Sequence, residues 1–191
     1  MSSPDFSNVF SRSVVLYRFL FLVWLFFVAE FIYGYQLHHF GIHPRNVLGL
    51  TGVITAPLLH VNLAHIVSNT IPLLILGSAL FYFYSKSARR VFLVSYFLPG
   101  IIVWIVGRPV NHIGASGLIY AFATYLVVIA LLKRNAWSLA IAVVVALIYS
   151  GLFLGLTSTL NEVSYELHIS GAIVGVGLAI HTFWMEKKRD K

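Results

Sequence analysis

Apolar positions in this chain run in long unbroken blocks rather than alternating, and short polar stretches separate them. Six blocks approach membrane-spanning length, at about 14–35, 58–84, 91–106, 116–132, 137–156 and 167–184. The pattern predicts an all-α polytopic membrane protein of six transmembrane helices, one domain over residues 1–191. The third and fourth blocks are short for a full crossing. Between the first two spans, about 36–57, histidine, glycine and proline mix with Val47, Leu48, Leu50 and Val53. That stretch is too apolar for a solvated loop and too broken for a span, so it predicts an interfacial or re-entrant segment.

Composition agrees with this reading. The chain is 59% hydrophobic and 10% charged, with a mean hydropathy of +0.88, far from the balance of water-soluble domains. The net charge of +7 does not point to nucleic acid, because the basic residues sit between apolar blocks. Six spans put both termini on one side. Of the 13 Lys and Arg residues, all but Arg45 and Arg108 then fall on that side, which predicts cytoplasmic termini. The first block carries Glu30 and lacks a small-x-small cleavage site, so it reads as a retained span rather than a signal peptide. Without cysteine, disulfides and thiolate chemistry are excluded.

Polar groups inside spans are costly and mark functional candidates. His60, His65 and Asn69 lie near the start of the second span, Ser116 opens the fourth and His168 the sixth. Under the predicted orientation all three helix ends face outward. Ser116, in Gly114-Ala115-Ser116-Gly117, has the free N–H groups and positive dipole end of a helix start beside it, which suits a developing oxyanion. The bland reading of the same residue is a simple N-cap. From Ser116 to Lys133 a helix rises only about 25 Å against a hydrocarbon core of about 30 Å, which places Ser116 below the outer surface. Gly171, Ala172, Gly175 and Ala179 form a small-residue stripe below His168, and Gly117 and Ala121 offer a matching one. If the stripes dock, His168 meets Ser116. His65 and Asn69, four apart, share a face and can both donate to one point. His60 reads as a weaker candidate that lines the outer cavity, while His38, His39, His43, His112 and His181 read as interfacial residues.

These residues carry a resemblance to a known family. With His65-Ile66-Val67-Ser68-Asn69, Gly114-Ala115-Ser116-Gly117 followed by Tyr120, and His168-Ile169-Ser170-Gly171 followed by Gly175, the sequence resembles the rhomboid intramembrane serine proteases. The resemblance implies Ser116 as nucleophile, His168 as its base, and an oxyanion hole from His65, Asn69 and the Ser116 N–H, with Tyr120 packed on the histidine ring. It also implies single-span membrane proteins as substrates, access between the second and fifth helices, and residence in a bacterial inner membrane with the site opening outward. No metal or cofactor is required. The chain departs from many members in carrying His43-Pro44-Arg45 where they have a Trp-Arg pair, and it lacks a common glutamate late in the second span. Glu162 and Glu166 are the only acids near His168, and neither is expected to complete a triad. Three other readings stay open: an inactive rhomboid-like protein that binds membrane clients, a haem protein with His65 and His168 as axial ligands, and a channel or transporter. Oligomeric state is also open.

Overall fold

A computed structural model describes residues 9–134, 139, 140, 143 and 164–189. Five of its helices are long and apolar enough to cross a membrane. We label them α1 (Val9–Tyr33), α3 (Leu63–Phe83), α4 (Ser85–Val106), α5 (Ser116–Lys133) and α6 (Tyr165–Arg189), with the single turn α2 (Gly52–Thr55) between α1 and α3. Among the described residues no strand forms, and an isolated antiparallel bridge joins Ile42 to His112. The predicted span at 137–156 falls almost wholly outside the described residues.

The helix bounds refine the sequence expectation. The third span is not short: α4 begins at Ser85, so its first two turns hold Lys86, Arg89 and Arg90, whose aliphatic stems let charged residues continue a helix at an interface. The second span starts at Leu63 rather than 58, because the Asn62 side chain accepts the His65 N–H at 2.8 Å and caps α3 there. Similarly, α6 runs on to Arg189, with Lys187, Lys188 and Arg189 at the negative end of its dipole.

Burial sorts the helices into layers. On α1, Leu16, Phe19, Leu20 and Val23 form an inward stripe, while Phe21, Leu22, Leu25 and Val28 are exposed. Such exposed apolar surface fits hydrocarbon rather than water. By contrast, every residue of α5 from Gly117 to Ala123 is buried, so α5 is the central helix. Its most extensive neighbour is α6, with α3 and α4 also packed on it.

The segment at 36–57 folds into short helical turns rather than a span. Its apolar side chains Val47, Leu48, Leu50 and Ile54 point outward, and Val53 and Ala56 are buried. Polar contacts fasten it to the second half of α4 and the 107–115 loop. The Trp104 indole N–H donates to Asn46 O at 2.8 Å and the Tyr96 hydroxyl to Ile54 O at 2.6 Å. Arg45 donates to the carbonyls of Gly107 at 2.9 Å and Ile105 at 3.4 Å. A cation there satisfies carbonyls that a helix C-terminus leaves unpaired.

Candidate active site

The contact between α5 and α6 is backbone on backbone. A Cβ on Gly171 would overlap the carbonyl of Gly117, and one on Gly175 would overlap that of Ala121 and the Thr124 hydroxyl. Both pairs advance by four residues, so the two helices run parallel with their N-termini at the same end. Thr124 Oγ1 adds an interhelical hydrogen bond to Ala172 O at 3.1 Å. The small-residue stripes therefore dock, and they carry Ser116 and His168 to the same level.

Above this contact opens a cavity of about 740 Å³, whose walls include His65, Asn69, Ser116, Tyr120, His112 and His168. Ser116 is half-buried at the first position of α5, beside N–H groups that a helix start leaves unpaired. Against the ring of His168, which is 8% exposed, the Tyr120 ring stacks with centroids 4.2 Å apart and planes within 13°. This flat contact restricts rotation of the imidazole.

Gly114 sets the approach to Ser116 from the other side. It sits at φ +104°, and a Cβ would lie 2.8 Å from His65 Nε2. Only glycine meets both conditions. The His65 imidazole thus lies against the backbone two residues before Ser116. One turn on, the Asn69 amide donates to His65 O at 2.9 Å, and an amide nitrogen has a second N–H to offer the cavity. Asn69 Oδ1 is buried with no hydrogen-bond partner among the described residues.

Two histidines differ from the sequence expectation. His60 does not line this cavity: it is 1% exposed and packs edge-on behind His65, ring centroids 4.8 Å apart. Burial, reinforced by His65, pushes its pKa down to about 3. His112 is not interfacial but completely buried, and burial lowers its pKa as well. Its imidazole reaches Ser164 Oγ at 2.7 Å and Arg108 O at 3.0 Å. Arg108 pairs in turn with Glu166, so Glu166 is turned to Arg108, while Glu162 lies outside the described residues. Sequence reasoning missed this group; its available signal was an arginine and a histidine within a nine-residue connection between two spans. Among the described residues no cluster of three or more His, Asp or Glu side chains is placed to hold a metal ion.

Comparison with known proteins agrees with this architecture. The Rhomboid domain model matches residues 47–185. An uncharacterized protein of Mycobacterium tuberculosis (strain ATCC 25618 / H37Rv) is 37% identical, over 83% of this chain and 70% of its own length. Another, from Mycobacterium leprae, is 33% identical over 85% of this chain and 68% of its own. The match spans four of the five long helices and every wall of the cavity, and on it the chain belongs to the rhomboid family of integral membrane proteins.

Proposed function

We propose that this protein is an intramembrane serine endopeptidase that cuts single-span membrane proteins through a Ser116–His168 dyad. What carries the reading is the common cavity at the parallel N-termini of α5 and α6, which holds both side chains with Tyr120 stacked on the base. His168 takes the hydroxyl proton of Ser116 as Oγ attacks a peptide carbonyl carbon. The resulting oxyanion lies among the Ser116 N–H, His65 and Asn69. Collapse of the intermediate breaks the C–N bond, with the His168 proton passing to the leaving amine. Water then attacks the acyl-enzyme, His168 again accepting a proton, and Ser116 is regenerated. Nothing in these steps calls for a metal or cofactor.

A helical substrate has its carbonyls already hydrogen-bonded. The enzyme therefore favours segments that unwind near the cut, with helix-breaking or small residues close to the interface. Both termini lie in the cytoplasm of a bacterial inner-membrane arrangement, with the cavity opening to the opposite side, as the distribution of basic residues supports.

Purified protein in detergent is expected to label with a fluorophosphonate probe and to cleave members of a panel of labelled single-span substrates. Ser116→Ala abolishes both activities, and His168→Ala reduces both to background. A wild-type protein that binds such substrates but neither labels nor cleaves is instead a client-binding relative. A Soret band that His65→Ala or His168→Ala removes indicates haem ligation by these histidines instead.

A further inference from the structure

The dyad chemistry leaves unused a second set of polar groups on the cavity wall. Arg108, in the loop between α4 and α5, grips Glu166 with both arms of its guanidinium: Nε donates to Oε1 at 2.5 Å and Nη2 to Oε2 at 3.2 Å. Its backbone N–H reaches Oε1 at 3.3 Å, and the guanidinium lies 4.3 Å above the Tyr165 ring. Glu166 stands in the first turn of α6, two residues before His168, and its side chain is 11% exposed.

A second line of hydrogen bonds runs parallel to the first. Arg108 O can only accept, so His112 Nε2 carries the proton of the neutral ring, and Nδ1 accepts from the Ser164 hydroxyl. Ser164 Oγ in turn accepts the Leu167 N–H at 3.3 Å, as an N-cap does. The chain of donors therefore links Leu167, Ser164, His112 and Arg108. It joins the first turn of α6 to the loop that ends at Ser116.

The glycine contacts cannot do this work alone. They fix α5 against α6 at Gly117–Gly171, Gly117–Leu167 and Ala121–Gly175, but none of them holds the 107–115 loop that leads into Ser116. A partly buried ion pair adds little to stability, and its best-supported use is to fix register. We propose that Arg108 and Glu166, with His112 and Ser164, form a positioning latch that sets the separation of Ser116 and His168. For its effect on reactivity, the proposal rests on the dyad reading given above.

The test is a double-mutant cycle on purified protein, comprising Arg108→Gln, Glu166→Gln and the pair, with Arg108→Lys as a variant that keeps the charge but not the fork. Lys133→Gln is the control, since Lys133 and Glu186 pair at 2.7 Å across the far end of the same two helices. Two readouts are taken: the fluorophosphonate labelling rate, and hydrogen exchange at the Leu167 and His168 amides. Arg108→Gln and Glu166→Gln are each expected to label at least about tenfold more slowly, with Arg108→Lys between them and wild type and the double variant no slower than the worse single. The two amides exchange faster in the same variants, while Lys133→Gln changes neither readout. Unchanged labelling, or a double variant whose loss is the product of the singles, overturns the latch. If the wild-type protein does not label at all, the dyad reading fails separately. Exchange then decides: faster amides in Arg108→Gln and Glu166→Gln uphold the latch, and unchanged amides overturn it.

Discussion

Replacing Gly171 with alanine puts the helix contact under direct strain. The new Cβ would lie 3.0 Å from the carbonyl carbon of Gly117 and 3.1 Å from its Cα, with the carbonyl oxygen closer still. Carbon atoms in good contact sit at about 3.5–4.0 Å. All the obstructing atoms are backbone, so no side chain can rotate away, and the upper ends of α5 and α6 must part by about 1 Å. Overpacking of this kind costs about 1–3 kcal/mol. Because His168 is three residues above Gly171 on the same helix, the displacement passes to the gap between His168 and Ser116. A misplacement of about 1 Å can cost about a hundredfold in rate. Gly171→Ala is thus expected to lower the melting midpoint in detergent and to slow fluorophosphonate labelling by about ten- to a hundredfold. Gly177→Ala, six residues along the helix with no atom of the described residues within 4 Å of its Cβ, is the control: it should leave labelling unchanged and raise the melting midpoint slightly, as alanine for glycine does inside a helix. Wild-type labelling and melting in Gly171→Ala would show that this contact does not set the geometry of the site.

Other perturbations reach the site by different routes. Gly114→Ala combines a disfavoured φ with a clash against His65; a loss of about 1–3 kcal/mol and slower labelling are expected in the same two assays. Tyr120→Ala removes the ring stacked on His168, and labelling should fall by about tenfold as the imidazole gains freedom. Asn62→Ala deletes the α3 cap at a cost of about 1 kcal/mol, read as a lower melting midpoint. For His60 the folded pKa of about 3 lies below the ordinary 6.5, so on acidification the unfolded chain takes up a proton that the folded one refuses. Stability therefore falls as pH drops below 6.5 and stops falling near 3. At about pH 5 the loss is ~2 kcal/mol, and His60→Leu should remove that increment from melting curves recorded between neutral and mildly acid pH. His112 acts in the same direction.

The helices were legible because uniform apolar blocks specify spans without long-range information. The parallel docking of α5 on α6 was legible too, since Gly117, Ala121, Gly171 and Gly175 fall at helical spacing on two helices that start at the same level. What the sequence did not convey lies between elements. Arg108 and Glu166 are 58 positions apart, and neither has a local pattern that announces the other. His112 reads like any polar loop residue because its partners are distant in the chain: Ile42, which bridges to its backbone across 70 positions, and Ser164, 52 positions away. His60 reads as a cavity-lining residue at the start of the second span, but the Asn62 cap starts α3 after it and its ring packs against His65 instead. Helix bounds drifted for a related reason: an apolar count stops at the first lysine, whereas the α4 backbone carries on past three of its basic residues.

The two arginines that run against the charge count share a physical explanation. An arginine marks topology when its guanidinium is free to follow the charge bias of the membrane; one that is already satisfied by protein groups marks a contact instead. Arg45 is held by carbonyls at the end of α4 and Arg108 by Glu166. They brace the same loop, Arg45 where it leaves α4 and Arg108 where it faces α6. Ser116 is delivered by that loop, so its distance from His168 depends on polar fastenings outside the helices as much as on the glycine contact within them. Substitutions of Arg45 and Arg108 should consequently alter reactivity more than stability, and substitutions in the glycine stripe should alter both.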